Sequence, residues 1–215
     1  MKSFLVIGLG RFGRHVCRSL MSQGAEVMAV DSDEEKVDAL ADKVTKAQIA
    51  DCSREEVLKS LGVGNYDACL VCMGSDFQSS LETTSLLSEL GAQRVISKAG
   101  SRIQEKFLLR NGADEVVYPE REMAGKLARR LISGRIADYL ELTEDVSLFQ
   151  MEVSPAWAGR TIADLNFRKK YNANIVAVKK GENVIMPMPD YRFEKNDEIM
   201  VICNKTDMNK LLKKG

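Results

Sequence analysis

Near its amino terminus the chain carries the stretch Val6-Ile7-Gly8-Leu9-Gly10-Arg11-Phe12-Gly13, and this stretch decides the fold. A short apolar run leads directly into three glycines spaced as GxGxxG, and apolar residues at helical spacing follow. In such a unit the first glycine makes a tight turn, the second lets the backbone approach a phosphate, and the third lets the helix pack on the strand. The stretch therefore predicts a Rossmann-type nucleotide-binding domain whose phosphate loop comprises Gly8, Gly10, Arg11, Phe12 and Gly13.

An acidic residue stands where such a domain needs one. Asp31 ends the next apolar run, Glu26 to Val30, and a carboxylate at this position accepts hydrogen bonds from the ribose hydroxyls. Its negative charge, with Asp33 nearby and no arginine immediately following, disfavours the 2′-phosphate of NADP. We therefore expect Asp31 to bind the ribose of a nucleotide that lacks this phosphate.

Further candidates follow the later strands of the expected sheet. Asp51, with Cys52 beside it, ends the third strand, where it either contacts the adenine edge or caps the next helix. Gly74 and Ser75 close the fourth strand and are expected on the cleft floor. Lys98 ends the fifth strand and either reaches the phosphates or remains solvated. These residues complete the candidate nucleotide site.

The pattern of the chain changes at Pro119. Up to about residue 118, six β-branched runs alternate with helical stretches, which predicts an α/β domain with a doubly wound, six-stranded parallel sheet. Residues 120–135 form one amphipathic helix, and its apolar stripe needs a partner. Residues 141–215 are expected to form a small α+β domain. The expected division is therefore 1–135 and 141–215.

Short strands and one helix are expected in the second domain. The strands are Val146 to Val153, Ile175 to Val178, Asn183 to Met186 and Glu198 to Cys203, and the helix is Met208 to Lys213.

Composition excludes several classes of protein. Lysine plus arginine equals aspartate plus glutamate at 31 each, so nucleic acid is not expected as a partner. No stretch approaches the roughly 18 uninterrupted apolar residues of a membrane span, which favours a cytoplasmic protein. The five cysteines argue against a disulfide framework. Cys69 and Cys72 are spaced as CxxC, but residues three apart on a strand point to opposite faces, so we expect them to be buried packing residues.

A catalytic half is missing from the sequence. The only histidine, His15, follows the glycine loop, and the second domain offers no His/Asp or Cys/His pair. A Rossmann domain without a catalytic partner suggests a sensor, not an enzyme. A small NAD-dependent oxidoreductase remains the alternative. An NADH-sensing repressor would require a DNA-binding helix-turn-helix, and the sequence shows neither a basic recognition helix nor excess positive charge.

Several stretches together resemble a known family. They are Val6 to Gly13, Ala29-Val30-Asp31, Gly112-Ala113-Asp114, Pro119-Glu120 and Gly159 to Arg168. The chain resembles, over essentially its whole length, the RCK (regulator of K⁺ conductance) family, and in particular the cytosolic regulatory subunits of Ktr and Trk potassium-uptake systems. The arginine inside the glycine loop is the most diagnostic element. A single RCK unit favours the Ktr type, because Trk-type regulators usually carry two in tandem.

The resemblance implies an assembly and a first ligand. It implies homodimers, and in the Ktr type an octameric ring, beneath a membrane-embedded K⁺-translocating subunit on the inner face of the cell membrane. The helix at 120–135 would cross over between protomers. ATP or ADP would occupy the loop with Arg11 near the terminal phosphate, whereas in the Trk type the ligand can be NAD(H). A glutamate matching Glu120 would help to place a divalent cation, Mg²⁺ or Ca²⁺, near the phosphates.

The resemblance also implies a second ligand. Related proteins bind cyclic di-AMP at an interface of their C-terminal domains through an isoleucine, an arginine and an asparagine. Ile162, Arg168 and Asn174 stand at the matching positions. Arginine suits a phosphate, asparagine an adenine edge or a ribose, and isoleucine a base face. Core or surface roles would explain the same three residues equally well.

Overall fold

The chain folds into two compact units. A computed structural model describes residues 1–74, 76–133 and 136–214. Internal contacts separate Met1–Glu120 from Arg121–Gly215. No helix in the described ranges has both the length and the apolar composition needed to cross a membrane.

The first unit is built on a parallel sheet. Its strands are β1 Ser3–Ile7, β2 Glu26–Asp31, β3 Lys46–Ile49, β4 Ala68–Val71, β5 Val95–Lys98 and β6 Glu115–Val117. The strand order is β3-β2-β1-β4-β5-β6, and every neighbouring pair is parallel. The six-stranded, doubly wound parallel sheet predicted from the sequence is therefore confirmed.

Helices connect these strands, and the last helix follows β6. They are α1 Arg11–Ser22, α2 Glu34–Asp38, α3 Glu55–Leu61, α4 Phe77–Glu89, α5 Arg102–Arg110 and α6 Pro119–Ser133, with a 3₁₀ turn at Val63–Asn65. The expected helix at 120–135 corresponds to α6, and residues 134–135 lie outside the described residues. Because β1 lies between β2 and β4, the connections leaving β1 and β4 run in opposite directions. A crevice opens at such a switch point, at the carboxyl ends of the strands.

The sheet buries apolar residues on both faces. Leu5, Ile7 and Cys69 belong to one core cluster, whereas Val6 and Cys72 belong to another. Successive residues of a strand point to opposite faces, so the two clusters lie on opposite sides of the sheet. The prediction that Cys69 and Cys72 are packing residues, not ligands of one metal, is confirmed.

All five cysteines are buried and free of disulfides. Burial raises the pKa of the Cys17 and Cys203 thiols to about 11. Burial raises the pKa of the Cys52, Cys69 and Cys72 thiols to about 12. Because the thiolate is the reactive form, these side chains are inert near neutral pH.

The second unit contains an antiparallel sheet. Its strands are β7 Ile136–Glu141, β8 Val146–Glu152, β9 Ala173–Lys180, β10 Asn183–Ile185 and β11 Glu198–Asn204, in the order β10-β9-β11-β8-β7. The short helices α7 Ile162–Leu165 and α8 Phe167–Tyr171 precede β9, and α9 Lys205–Lys214 ends the unit. Trp157, Phe167, Tyr171 and Phe193 dominate its core.

The sequence predictions for this unit need correction in detail. β7 was not expected, and neither were α7 and α8, each of which is little more than one helical turn. Asn166, between these two helices, has a left-handed φ of 44°, which ends α7 before a longer helical pattern can develop. β9 extends beyond the expected 175–178, and α9 begins three residues before the expected Met208.

Candidate nucleotide-binding cleft

An open cleft of about 230 Å³ lies at the carboxyl ends of the central strands of the first sheet. Its lining includes many of the residues singled out from the sequence: Gly8, Gly10, Asp31, Asp51, Cys52 and Gly74. Ser75 lies outside the described residues. The structure thus brings together residues that follow four different strands, β1 to β4.

The three glycines of the loop have different reasons to be glycine. Gly8 has a φ of +92°, which is strained for any residue with a side chain. A Cβ on Gly13 would lie 2.0 Å from the carbonyl oxygen of Gly8, so α1 can approach β1 only without it. Gly10 has an ordinary φ of −65°, and a Cβ there would meet nothing within 4 Å. The fold requires the first and third glycines, whereas the space in front of Gly10 is left open.

The amino terminus of α1 faces this loop without a side-chain cap. Gly10 is the N-cap residue, and the first turn carries no acidic side chain. The first amides of a helix lack intrahelical partners and carry the positive end of the helix dipole. An uncapped, 12-residue helix that follows a glycine loop is therefore suited to an anionic group.

Asp31 both supports the loop and faces the cleft. Its Oδ2 accepts a hydrogen bond from the amide of Leu9 at 2.6 Å, which ties the glycine loop to the end of β2. Its Oδ1 accepts a hydrogen bond from the amide of Asp33 at 3.0 Å. The side chain is only 10% exposed, so these two amides largely determine its orientation.

Lys36, which the sequence analysis missed, also lines the cleft. Its Nζ lies 3.0 Å from Oδ2 of Asp33 and 3.6 Å from Oδ1 of Asp31. The hydrogen bond from Lys36 lowers the pKa of Asp33 and raises the pKa of Lys36. The residues directly after Asp31 contain no arginine, so they give no sign of a cation at this end of the cleft. The sequence feature that could have revealed Lys36 is a lysine in the helix that follows β2. This helix turns back toward the end of the strand, so its side chains can reach the cleft.

Asp51 orders the turn after β3. Its Oδ1 accepts hydrogen bonds from the amide of Ser53 at 3.0 Å and from its hydroxyl at 2.7 Å. The hydroxyl hydrogen bond is the main cause that lowers the pKa of Asp51. The N-cap residue of α3 is Arg54, without a side-chain cap, so the alternative that Asp51 caps this helix is wrong. Cys52 is almost fully buried in the core next to this turn.

Lys98 and Glu120 form an ion pair near Phe12 of the glycine loop. Nζ of Lys98 lies 2.7 Å from Oε1 of Glu120 and 5.8 Å from the ring centroid of Phe12. A Cβ on Gly74, which lines the cleft, would lie 3.4 Å from the same ammonium, so Lys98 lies next to the cleft. Of the residues predicted for the site, Arg11, Phe12, Gly13 and Lys98 are not part of the cleft lining. The hydrogen bond from Lys98 is the main cause that lowers the pKa of Glu120, and the charge of Arg11 contributes.

Arg11 and Glu120, the candidate partners of a phosphate and of a cation, are both exposed. Arg11 is the first residue of α1 and is exposed. Glu120 is an exposed single carboxylate, and no group of three or more His, Cys, Asp or Glu side chains suited to a metal occurs in the described ranges. A cation at Glu120 would therefore need ligand atoms from elsewhere, and phosphate oxygens would supply them.

The three candidate residues for a second ligand lie in the second unit. Ile162 begins α7 and packs, half-buried, against the core. Arg168 is exposed on α8, and Asn174 is exposed on β9. α8 contacts both α7 and β9, so the three residues come from contiguous elements.

Two family models match the chain. The TrkA-N domain matches residues 4–119 and the TrkA-C domain matches residues 147–214. The first match alone covers more than half of the chain, and together they span both units of the structure.

Three relatives align with nearly the whole chain over nearly all of their own length. Ktr system potassium uptake protein C of Bacillus subtilis (strain 168) is 42% identical, over 99% of this chain and 97% of its own length. Ktr system potassium uptake protein A is 36% identical in Bacillus subtilis (strain 168), over 100% and 97%, and 33% identical in Vibrio alginolyticus, over 94% and 92%. These relatives are named for potassium uptake, and none of the three names denotes an enzymatic activity.

Solved structures share the fold. The GsuK RCK domain matches with a TM-score of 0.69 at 16% identity, over 99% of this chain and 47% of that one, so this chain spans about half of its length. The NAD(P)-binding domain of an exopolyphosphatase-related protein from Archaeoglobus fulgidus matches with a TM-score of 0.55 at 26% identity, over 61% and 98%. By its two domain matches and by relatives that are 42% and 36% identical over nearly its whole length, the chain belongs to the family of TrkA-N/TrkA-C proteins that includes the Ktr potassium uptake proteins.

Proposed function

We propose that this chain is the cytosolic regulatory subunit of a potassium-uptake transporter and that ATP or ADP, bound in the cleft, controls transport. The observation that carries the proposal is the open space in front of Gly10. It lies between the uncapped start of α1 and the carboxylate of Asp31, and the fold itself does not need a glycine there. A nucleotide fits this arrangement, with its phosphates at α1 and its ribose at Asp31.

Two cations, one inside the glycine loop and one near it, favour ATP and ADP. The amides of α1 are sufficient partners for the pyrophosphate of a dinucleotide. Arg11 and Lys98 add two positive charges, and the effect of Arg11 on Glu120 puts both near the same carboxylate. Two additional cations suit a chain of phosphates that ends in a doubly charged group.

NAD(H) is the second candidate ligand. The domain from Archaeoglobus fulgidus, which is 26% identical and aligns over 61% of this chain, is named as NAD(P)-binding. This supports a dinucleotide in the same cleft. ATP, ADP, NADH and NAD⁺ therefore belong in one titration panel.

Isothermal titration of the full chain tests the proposal. We expect ATP and ADP to bind more tightly than NADH, and Arg11→Ala to weaken ATP more than ADP, because the terminal phosphate loses a charged partner. Arg18→Ala, an exposed arginine further along α1, is the matched control and should bind as the wild type does. Equal losses for ATP and ADP in Arg11→Ala would contradict the role assigned to Arg11, and no binding of any nucleotide would contradict the proposal.

We also propose that Glu120 helps to hold a divalent cation, Mg²⁺ or Ca²⁺, beside the phosphates. The hydrogen bond from Lys98 keeps this carboxylate ionised, and phosphate oxygens would complete the oxygen ligands that either cation prefers. ATP should bind more tightly when Mg²⁺ is added, and Glu120→Gln should remove this gain. A gain of the same size in the variant would exclude Glu120.

The proposed partners are a second copy of the chain and a membrane-embedded K⁺-translocating subunit. Met123, Leu127 and Leu131 recur every fourth residue on α6 and are 62%, 46% and 72% exposed, so one face of this helix is apolar and uncovered. This face supports a homodimer, assembled further into an octameric ring beneath the transporter on the inner face of the cell membrane. K⁺ uptake by the transporter reconstituted with the chain should differ between ATP and ADP.

Cyclic di-AMP is the proposed ligand of the second unit, at Ile162, Arg168 and Asn174. Arg168 and Asn174 are exposed, and Ile162 is half-buried, as contacts with phosphate, base edge and base face require. In a titration with cyclic di-AMP, Arg168→Ala should lose binding, whereas the neighbouring Lys169→Ala should keep it. Unchanged binding in Arg168→Ala would exclude this site.

A further inference from the structure

The ribose end of the cleft holds a lysine that the glycine motif does not account for. Lys36 lies on α2 and lines the cleft together with Asp31. Its ammonium is 3.0 Å from Asp33 and 3.6 Å from Asp31. Since the hydrogen bond to Asp33 raises the pKa of Lys36, the ammonium stays charged at neutral pH. A cation therefore stands beside the carboxylate that is expected to bind the ribose.

Asp33 fixes the position of this lysine. Its carboxylate caps α2 by accepting a hydrogen bond from the amide of Glu35 at 3.1 Å, and it pairs with Lys36 three residues along the chain. An ammonium has three N–H donors, so the pair with Asp33 leaves donors for a ligand. The lysine side chain is 42% exposed, and Lys36 lines the cleft.

Asp31 already accepts two backbone hydrogen bonds. Each carboxylate oxygen accepts about two hydrogen bonds. Oδ2 already accepts one from the amide of Leu9, and Oδ1 accepts one from the amide of Asp33. Lys36 faces Oδ1 at 3.6 Å. Asp31 can therefore accept about two further hydrogen bonds, and the ammonium of Lys36, which lies beyond hydrogen-bond distance of Oδ1, stands beside it as a donor.

The two hydroxyls of a ribose can bind Asp31 and Lys36 together. Each hydroxyl can donate one hydrogen bond and accept others, whereas Asp31 only accepts and Lys36 only donates. One hydroxyl can therefore donate to Asp31 while the other accepts from Lys36. We propose that Lys36 is a specificity-determining residue of the cleft, which together with Asp31 selects nucleotides whose ribose carries both hydroxyls. This inference rests on the proposed function, since it requires a nucleotide in the cleft.

The test compares three nucleotides and three proteins. ATP, 2′-deoxy-ATP and 3′-deoxy-ATP are titrated into the full-length wild type, Lys36→Met and Lys59→Met. Lys59 is an exposed lysine of α3 that pairs with Glu55 and is not part of the cleft lining, so it controls for the loss of one charge. Each deoxynucleotide should bind the wild type about ten-fold more weakly than ATP, because one hydrogen bond to a charged group is lost.

The decisive quantity is the preference for ATP over each deoxynucleotide. Lys36→Met should bind ATP about ten-fold more weakly and should lose its preference over one of the two deoxynucleotides, whose missing hydroxyl had Lys36 as its partner. Lys36→Arg, which keeps a charged donor, should retain the preference, and Lys59→Met should match the wild type. Equal thermal unfolding midpoints establish that the variants fold alike.

Two results would overturn the inference, and they are distinguishable. If the wild type binds no nucleotide, the proposed function fails and this inference fails with it. If ATP binds, but Lys36→Met weakens all three nucleotides by one factor or leaves them unchanged, only the role of Lys36 is wrong. In that case the lysine acts through charge alone or not at all.

Discussion

Lys98 and Glu120 form an ion pair at 2.7 Å that joins the end of β5 to the start of α6. The lysine is largely buried, with 14% of its side chain exposed, whereas the glutamate is 62% exposed. The buried partner lies next to Gly74 of the cleft lining, and the exposed partner is the second residue of α6. A phosphate in the cleft would compete with Glu120 for the same ammonium.

The first prediction follows from this competition. In the absence of divalent cations, Glu120→Gln should bind ATP about five-fold more tightly, because removing one negative charge near the phosphates is worth about 1 kcal/mol. Lys98→Met should bind ATP about ten-fold more weakly. Titration in a chelating buffer measures both. Weaker binding by Glu120→Gln under these conditions would show that Glu120 is not a competitor.

The second prediction separates two glycines of the loop. Gly13→Ala places a Cβ 2.0 Å from the Gly8 carbonyl oxygen, so we expect a loss of about 3 kcal/mol or more in the free energy of unfolding. Gly10→Ala meets nothing within 4 Å and should unfold as the wild type does, yet lose nucleotide binding. Denaturant unfolding and titration check the pair. Normal nucleotide binding by folded Gly10→Ala would show that the open space is not the phosphate site.

The third prediction concerns the double role of Asp31. Asp31→Ala leaves the amides of Leu9 and Asp33 without their acceptor, which should lower the free energy of unfolding by about 1–3 kcal/mol. Asp31→Asn keeps one acceptor oxygen, so it should retain more stability while still weakening nucleotide binding. Chemical unfolding of both variants tests this order. Equal stability of the two would mean that the loop does not depend on this hydrogen bond.

The fourth prediction is a pH dependence in the second unit. Burial, with the hydrogen bond that its hydroxyl donates to Asp197, raises the pKa of Tyr191 to about 12. Because this pKa is raised above its ordinary value near 10, the contribution of Tyr191 to stability is complete below about pH 10 and is lost as the pH rises toward 12. Tyr191→Phe should therefore show a flatter decline of stability over this range. Difference absorbance of tyrosinate between the two proteins locates the titration, and a midpoint near pH 10 would contradict it.

The fifth prediction concerns the apolar face of α6. The wild type should be a dimer or larger at micromolar concentration, and Leu127→Glu should shift it toward monomer, because a charge cannot be buried in an apolar contact without a partner. Ala128→Glu, an exposed neighbour about a quarter turn away, is the control. Light scattering measures the mass. A monomeric wild type would remove the basis for a crossover helix.

The first sheet could be predicted from the sequence because its central strands, β1, β2 and β4, are largely buried and form apolar runs. β7 could not be predicted in this way. Its sequence, Ile136-Ala137-Asp138-Tyr139-Leu140-Glu141, lacks strict alternation, and its pairing with β8 shifts register between Ile136 and Asp138. It is also an edge strand, so only one neighbour fixes it. Such a strand depends on tertiary pairing more than on its own pattern.

The part of the candidate cleft that lies at the ends of strands could be predicted from the sequence. Gly10, Asp31 and Gly74 all follow strands of the parallel sheet, and topology alone brings them to one edge. Lys36 escaped prediction because its position depends on how α2 turns back and on the cap that Asp33 provides. Motif spacing describes backbone geometry and does not specify which long side chains return to the site.

The burial of every native thiol makes the chain a clean background for site-directed labelling. Maleimide and iodoacetamide reagents need an accessible thiolate, and the five native cysteines are buried with raised pKa values. A single cysteine introduced at the exposed Lys59 of α3 could carry a fluorophore or a spin label without prior removal of the others. Distances between such labels on neighbouring copies would then follow, in real time, any rearrangement that a nucleotide causes.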